Sequence, residues 1–267
     1  MTKARFPVQE ILALYDEHER INASFPHFRR QAGAHTVRLV DEGGGAGVVV
    51  YSRLDERIAD SAIQEEVEYF KRLGVGFEWK LYSHDRPGDL KERLAGHGFS
   101  IGEEEAVMAL DLSRLPGELA APPAVDIRRL GGEAGFEDFF ALNKTLWPGD
   151  EGLEDWLKAL KKTALEEPDR VGVYVAYVDG KPVCSARIDL PPSSPFASLW
   201  GGATLPEYRR RGIYTAVLAL RAQEAIARGY RFLTIDASPM SRPIVARLGF
   251  SLLSLTYPCE WQPPASP

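Results

Sequence analysis

Two segments half a chain apart end alike: ERLAGHGF at 92–99 and VARLGF at 245–250. Each reads as a short helix closing on Gly-Phe, where glycine relieves the left-handed turn after a helix and phenylalanine opens a strand. Each follows a strand, FEWKLY (77–82) or YRFLTID (230–236), and each precedes a long final strand. One such ending is a weak signal. The same order of elements recurring at half-chain offset predicts an internal duplication. A chain of 267 residues accommodates two domains of roughly 100–150 residues each.

The first half, 1–112, opens on an amphipathic helix with Val8, Ile11, Leu12 and Tyr15 on one face. Strands HTVRLV (35–40) and GVVVYS (47–52) follow, joined by DEGGGAG. Asp41 and Glu42 beside that glycine cluster, with no helix directly after it, predict a hairpin turn rather than a phosphate loop. A helix from about Ile58, the strand FEWKLY, a helix around Gly88–Ala95 and a strand from Phe99 to Leu112 complete the half. The dyad His84-Asp85 before Arg86-Pro87 reads as a helix start capped by Asp85. SRLPGELAAPPA (113–124), rich in proline and small residues, reads as a linker.

The second half, 125–267, begins with strand VDIRRL (125–130) and two helices, the first facing Phe136, Phe139, Phe140 and Leu146 inward, the second Leu153, Trp156, Leu157 and Leu160. A hairpin turns at Val178-Asp179-Gly180-Lys181, an Asp-Gly turn signal. Strand ASLWGGATL (197–205) leads to a helix ending near Arg228. Strand YRFLTID, a short helix near Pro243–Leu248 and strand FSLLSLTY (250–257) close the chain.

A net charge of −6 excludes a generally basic nucleic-acid binder but not an anionic ligand at a local basic site. No apolar run approaches the roughly 18 residues of a membrane span, and MTKARFPVQE has no apolar signal core before its first acidic residue. Cys184 and Cys259 stand far apart in no metal or redox spacing, and the five histidines form no paired ligand pattern, so no metal site is expected. These features together predict a cytoplasmic protein.

Between the strand 197–205 and its helix stands EYRRRGIYT (207–215). The first N–H groups of a helix lack partners and carry partial positive charge, so such an end accepts phosphate. Gly212 lets a pyrophosphate approach the backbone, Arg209, Arg210 and Arg211 add charge in forked geometry, and Thr215 adds a hydroxyl. The alternative is a merely basic helix end. Cations there oppose the dipole, so clustering three of them favours an anion site.

TLPEYRRRGIYTAVL resembles the acetyl-CoA motif of the GCN5-related N-acetyltransferase (GNAT) superfamily, Arg/Gln-x-x-Gly-x-Gly/Ala after a strand. Arg209 and Gly212 match its first two fixed positions, and Tyr214 replaces the usual small third residue. The element order of 125–262 resembles that fold too. The resemblance implies an α/β architecture of two tandem GNAT-like domains, each a mixed, mostly antiparallel sheet flanked by helices, with a degenerate first copy. There RLDERIADSA (53–62) has no glycine and sets Asp55, Glu56 and Asp60 where phosphates would lie.

By the resemblance, backbone groups of Ala203, Thr204 and Leu205 pair with the pantetheine arm of acetyl-CoA. The N–H groups of Arg210, Arg211, Gly212, Ile213, Tyr214 and Thr215 hold its pyrophosphate. A small-molecule or peptide amine attacks the thioester directly, with an oxyanion donor near Thr204–Leu205. The tyrosine the family often uses as general acid, four residues before the terminal Gly, is replaced by Val245. Ser238, Ser241 and Tyr214 are candidate substitutes, each with a plain reading as a loop, cap or helix-surface residue. The acceptor is expected beside LWPGDEGLEDWL (146–157), with Trp147, Trp156 and Trp200 as walls and Asp150, Glu151, Glu154 and Asp155 attracting a cation. A solvated acidic helix start is an equal reading of those acids. Gly201-Gly202 marks a bulge where strands part. A non-catalytic acyl-CoA sensor or scaffold is the rival function, and a plain interaction domain a third. A monomer or homodimer is expected, the monomer because two fused copies imitate the paired arrangement that many single-domain members of the family reach by dimerising.

Overall fold

The computed structural model describes residues 6–121 and 124–264. Pro122 and Pro123 of the expected linker, and the first five residues of the N-terminal stretch read for a signal, lie outside the described residues. In chain order the first elements are helix α1 (Val8–Tyr15) and strands β1 (Phe28–Ala32), β2 (Thr36–Asp41) and β3 (Gly47–Ser52). Then come α2 (Ala59–Leu73), β4 (Phe77–Tyr82), α3 (Leu90–Gly96), β5 (Ser100–Ile101) and β6 (Glu105–Asp111). Helix α4 (Gly117–Ala120), β7 (Asp126–Arg129), α5 (Glu133–Leu146) and α6 (Leu153–Glu166) follow. The remainder is β8 (Val171–Val178), β9 (Lys181–Asp189), β10 (Phe196–Thr204), α7 (Ile213–Ala227), β11 (Phe232–Ala237), α8 (Arg242–Arg247) and β12 (Ser251–Trp261).

The chain divides into two compact units. The first holds residues 6–108, Ala237–Pro243 and 251–264. In it β1, β2 and β3 run antiparallel in turn, β3 pairs β4 in parallel, and β4 pairs β12 antiparallel. Helix α2 makes the crossover between β3 and β4. It buries Ala59, Ala62, Ile63, Val67 and Phe70, a stripe at three- and four-residue spacing. Phe70 stacks on Phe77 with ring centroids 4.3 Å apart, over a core that includes Trp79, Leu81 and Leu94.

The closing strand departs from the sequence expectation, which placed 251–267 with the second half. Strand β12 lies in the first unit, with Cys259 opposite Trp79 and Trp261 opposite Phe77. Directly opposed residues of a ladder share a face, so Cys259 and Trp261 enter the core that Phe77 and Trp79 build.

The second unit holds Ala109–Asp236 and Ile244–Phe250. Strands β7, β8, β9 and β10 are antiparallel in turn, and β10 pairs β11 in parallel across α7. The hairpin β8–β9 turns at Asp179 (φ 50°) and Gly180 (φ 77°), the two left-handed positions of a primed turn. Helices α5 and α6 cover the sheet with Phe136, Phe139, Leu153, Leu157 and Leu160. Each unit thus repeats antiparallel pair, crossover helix and parallel strand, a mostly antiparallel sheet flanked by helices.

Two further expectations change. The stretch read as a linker contains α4, whose Leu119 is fully buried and whose Leu119 carbonyl accepts from Gln223 Nε2 at 3.0 Å. His84-Asp85 does not start a helix: α3 begins at Leu90. Asp85 instead takes Arg20 Nη2 at 2.6 Å and the Tyr82 amide at 3.0 Å. Arg20 is buried inside the first unit, so its charge calls for that carboxylate partner.

Candidate active site

Strand β10 makes the site by leaving one of its neighbours. Along one edge it follows β9 from Ser198↔Asp189 to Thr204↔Cys184, with a slip in register between Trp200 and Ala203. Gly201 sits at φ 56° inside that slip, so the Gly-Gly bulge read from the sequence is present. On its other edge β10 is in register with β11 only from Phe196↔Phe232 to Leu199↔Ile235. Beyond Leu199 the two parallel strands part.

Past β10 the chain makes a tight turn, Pro206–Tyr208, and enters α7 through Arg209–Gly212. Arg209 folds back, its Nε donating to the Thr204 carbonyl at 3.0 Å. Arg210 (φ 60°) and Gly212 (φ 76°) both take left-handed backbone. Gly212 is the N-cap and has no side chain to close the helix end; the first helical bond runs from the Ala216 amide to its carbonyl at 2.9 Å. The amides of Ile213, Tyr214 and Thr215 therefore have no acceptor inside the helix. Arg209, Arg210, Arg211 and Gly212 are all exposed, and Arg211 lies over the Tyr208 ring at 5.3 Å.

Tyr214, the residue out of pattern with the motif, turns its ring back onto the bulge. A Cβ placed on Gly202 would stand 3.0 Å from Tyr214 Cε2. Gly202 supplies the room that a small residue at 214 would otherwise leave. Burial pushes the Tyr214 phenol upward, against the pull of the nearby Arg221 charge.

Arg221 escaped the sequence reading. It lies on the same helix face as Val217, Leu218, Ala222 and Ala225, all buried, and it is itself only 1% exposed. A cation in an apolar stripe of three- and four-residue spacing was a readable signal. Its Nη1 donates to the Arg187 carbonyl at 2.9 Å and its Nε to the Val217 carbonyl at 3.3 Å. Its Nη2 is buried with no hydrogen-bond partner.

The remaining candidates separate. Leu205 does not offer its amide to a ligand, because that N–H donates to the Val183 carbonyl of β9 at 2.9 Å. Alternation along a strand turns the amide of Thr204 to the opposite, parted edge. Ser238 and Ser241 bond to each other at 3.2 Å in the turn before α8, within Ala237–Pro243 of the first unit. Val245 is fully buried in the second unit.

Of the residues expected to wall the acceptor, Trp156 and Trp200 both approach Arg187, whose guanidinium carbon is 5.9 and 5.6 Å from their ring centroids. Arg187 pairs with Asp189 at 3.0 Å; burial pushes the Asp189 carboxyl up while Arg187 pulls it down. Trp147 is half exposed on its own, and Asp150 accepts from the Gly152 amide at 3.0 Å in a turn. Glu154 is paired to Lys144 and Lys158. The acidic segment thus presents less negative charge than its composition implied.

The turn that leads into the equivalent helix of the first unit carries a carboxylate instead of a glycine. Asp55 Oδ1 accepts from the Arg57 amide at 2.8 Å and the Ile58 amide at 3.1 Å, ahead of α2. Asp41 likewise closes the glycine-rich turn, accepting from Gly43 and Gly45. Among the described residues no group of three or more His, Cys, Asp or Glu is placed to hold a metal ion, and no helix is long and apolar enough to cross a membrane.

Residues 136–250, most of which lie in the second unit, match the family described as Acetyltransferase (GNAT) family. Over most of its length the chain shares its fold with solved structures. A GCN5-related N-acetyltransferase from Kribbella flavida superposes with a TM-score of 0.68 at 17% identity, over 96% of this chain and 96% of that one. A tandem GNAT protein from the clavulanic acid biosynthesis pathway gives 0.61 at 14% identity, over 97% and 96%. A conserved protein of unknown function from Staphylococcus epidermidis gives 0.69 at 14%, over 91% and 97%. No curated protein matches the sequence.

Proposed function

We propose that this chain is an N-acetyltransferase that moves the acetyl group of acetyl-CoA to an amine, at a single site in the second unit. The family of residues 136–250 implies acyl transfer from an acyl-CoA. The observation that carries the finer reading is the continuity of the parted β10 edge with the uncapped start of α7. An extended pantetheine arm pairs with the open backbone as an added strand would. Its pyrophosphate meets the amides of Gly212, Ile213, Tyr214 and Thr215, with Arg210 and Arg211 alongside.

In this placement the thioester lies near Gly201–Gly202, and the Thr204 amide is the oxyanion donor on the parted edge. The amine attacks directly from the side of Trp156 and Trp200. It must first lose a proton, since a free alkyl amine of pKa ~10 is mostly charged at neutral pH. Asp55, lying where a phosphate would sit in the first unit, supports one site per chain. Two buried free thiols, Cys184 and Cys259, suit a reducing cytoplasm.

Val245 favours a second reading, an acyl-CoA sensor without turnover, because the family's usual acid is replaced by a buried aliphatic side chain. Release of CoA thiol from acetyl-CoA across a panel of small amines separates the two. Amine-dependent release is the expected result; tight binding with no transfer to any amine would rule out the enzyme.

A further inference from the structure

Arg221 is a buried cation without a counter-ion. No carboxylate pairs with it among the described residues, and the charged or titratable groups near it are Tyr214 on its own helix and Cys184 on β9. Both are neutral acids, and burial pushes both upward. A guanidinium remains protonated even where burial lowers its affinity for the proton, so the site keeps a full positive charge. Such a charge is costly unless something negative arrives to meet it. Its unpartnered Nη2 would lie 3.5 Å from a Cβ on Gly202, which places it directly behind the bulge.

We infer that Arg221 is a positioning residue for acyl transfer, whose uncompensated charge stabilises the negative charge that develops at the thioester and then on the departing CoA sulfur. This rests on the placement of CoA proposed above. The amine lone pair forms the new C–N bond, the C–S bond breaks with its electron pair going to sulfur, and the proton of the amine passes to solvent. CoA leaves as a thiolate and takes a proton from water on release. A cation behind the bulge, in a low-dielectric setting, does by its field what a general acid does by proton transfer. It accounts for turnover with valine at position 245. On β11 the residue after Ile235, the partner of Leu199, is Asp236, and on β9 Arg187 stands opposite Trp200.

The test is the titration of CoA bound to the intact chain, followed by the ultraviolet absorbance of its thiolate, in wild type, Arg221→Met and Arg221→Lys. Free thiols titrate near ~8.5. In the wild type the bound thiol should titrate about one pH unit or more lower, which is about tenfold in proton affinity. Arg221→Lys should keep most of that shift. Arg221→Met should lose it and lower acetyl transfer by about 10–100-fold with CoA affinity within about threefold. A wild-type thiol titrating at or above the free value would overturn the inference, as would equal thiol titrations in wild type and Arg221→Met. Should CoA fail to bind the wild type at all, the functional reading falls with it; binding with an unshifted thiol removes only the role of Arg221.

Discussion

At the scale of single residues, the pair Gly202 and Tyr214 explains the departure from the family motif. The ring occupies the space above the bulge that a side chain at 202 would need. Gly202→Val is therefore expected to force the ring aside, costing about 1–3 kcal/mol of stability and weakening acetyl-CoA binding. Tyr214→Ala in the same chain should restore much of both, so a double-mutant cycle by thermal melts and calorimetry reads the coupling. Independent, additive losses would mean that the contact does not shape the site. The glycine and three arginines of EYRRRGIYT were legible because each has a chemical reason to stand at a helix start. The use of Leu205's amide was not, because which edge of a strand an N–H faces depends on pairing partners the local sequence does not name.

At the scale of elements, most strands and helices announce themselves through local pattern: the apolar run of β3, the alternation of β4, the apolar stripe of α2, the Asp-Gly turn between β8 and β9. Strand β1, FRRQA, did not, since Phe28 is its one large apolar residue and three of its five residues are exposed. The proline-rich stretch after β6 also misled. Its composition is that of a linker, yet Leu119 is fully buried and α4 is held to α7 by Gln223. Leu119→Ala should thus destabilise the second unit by about 2–5 kcal/mol, read from urea unfolding. A loss under about 0.5 kcal/mol, the range of surface substitutions, would return the segment to linker status.

At the scale of the whole molecule, duplication was visible in the matched Gly-Phe endings, and both units do repeat a parallel strand pair across a helix. The membership of β12 was not visible. Nothing in FSLLSLTY indicates that the strand completing the first unit comes from the far end of the chain, because a ladder is chosen by the core it fills. The two copies differ at the turn that leads into their crossover helices, where the proposed function places the cofactor. Gly212 leads into one helix, and the turn before the other holds Asp55, bonded to the Arg57 and Ile58 amides. The account therefore predicts asymmetry of function within a repeated fold.

Calorimetric titration of the intact chain with acetyl-CoA tests that asymmetry most directly. The account predicts one site per chain, abolished by Gly212→Glu, which sets a carboxylate and an unfavourable left-handed side chain where the pyrophosphate belongs. Two sites per chain, or undiminished affinity in Gly212→Glu, would contradict it.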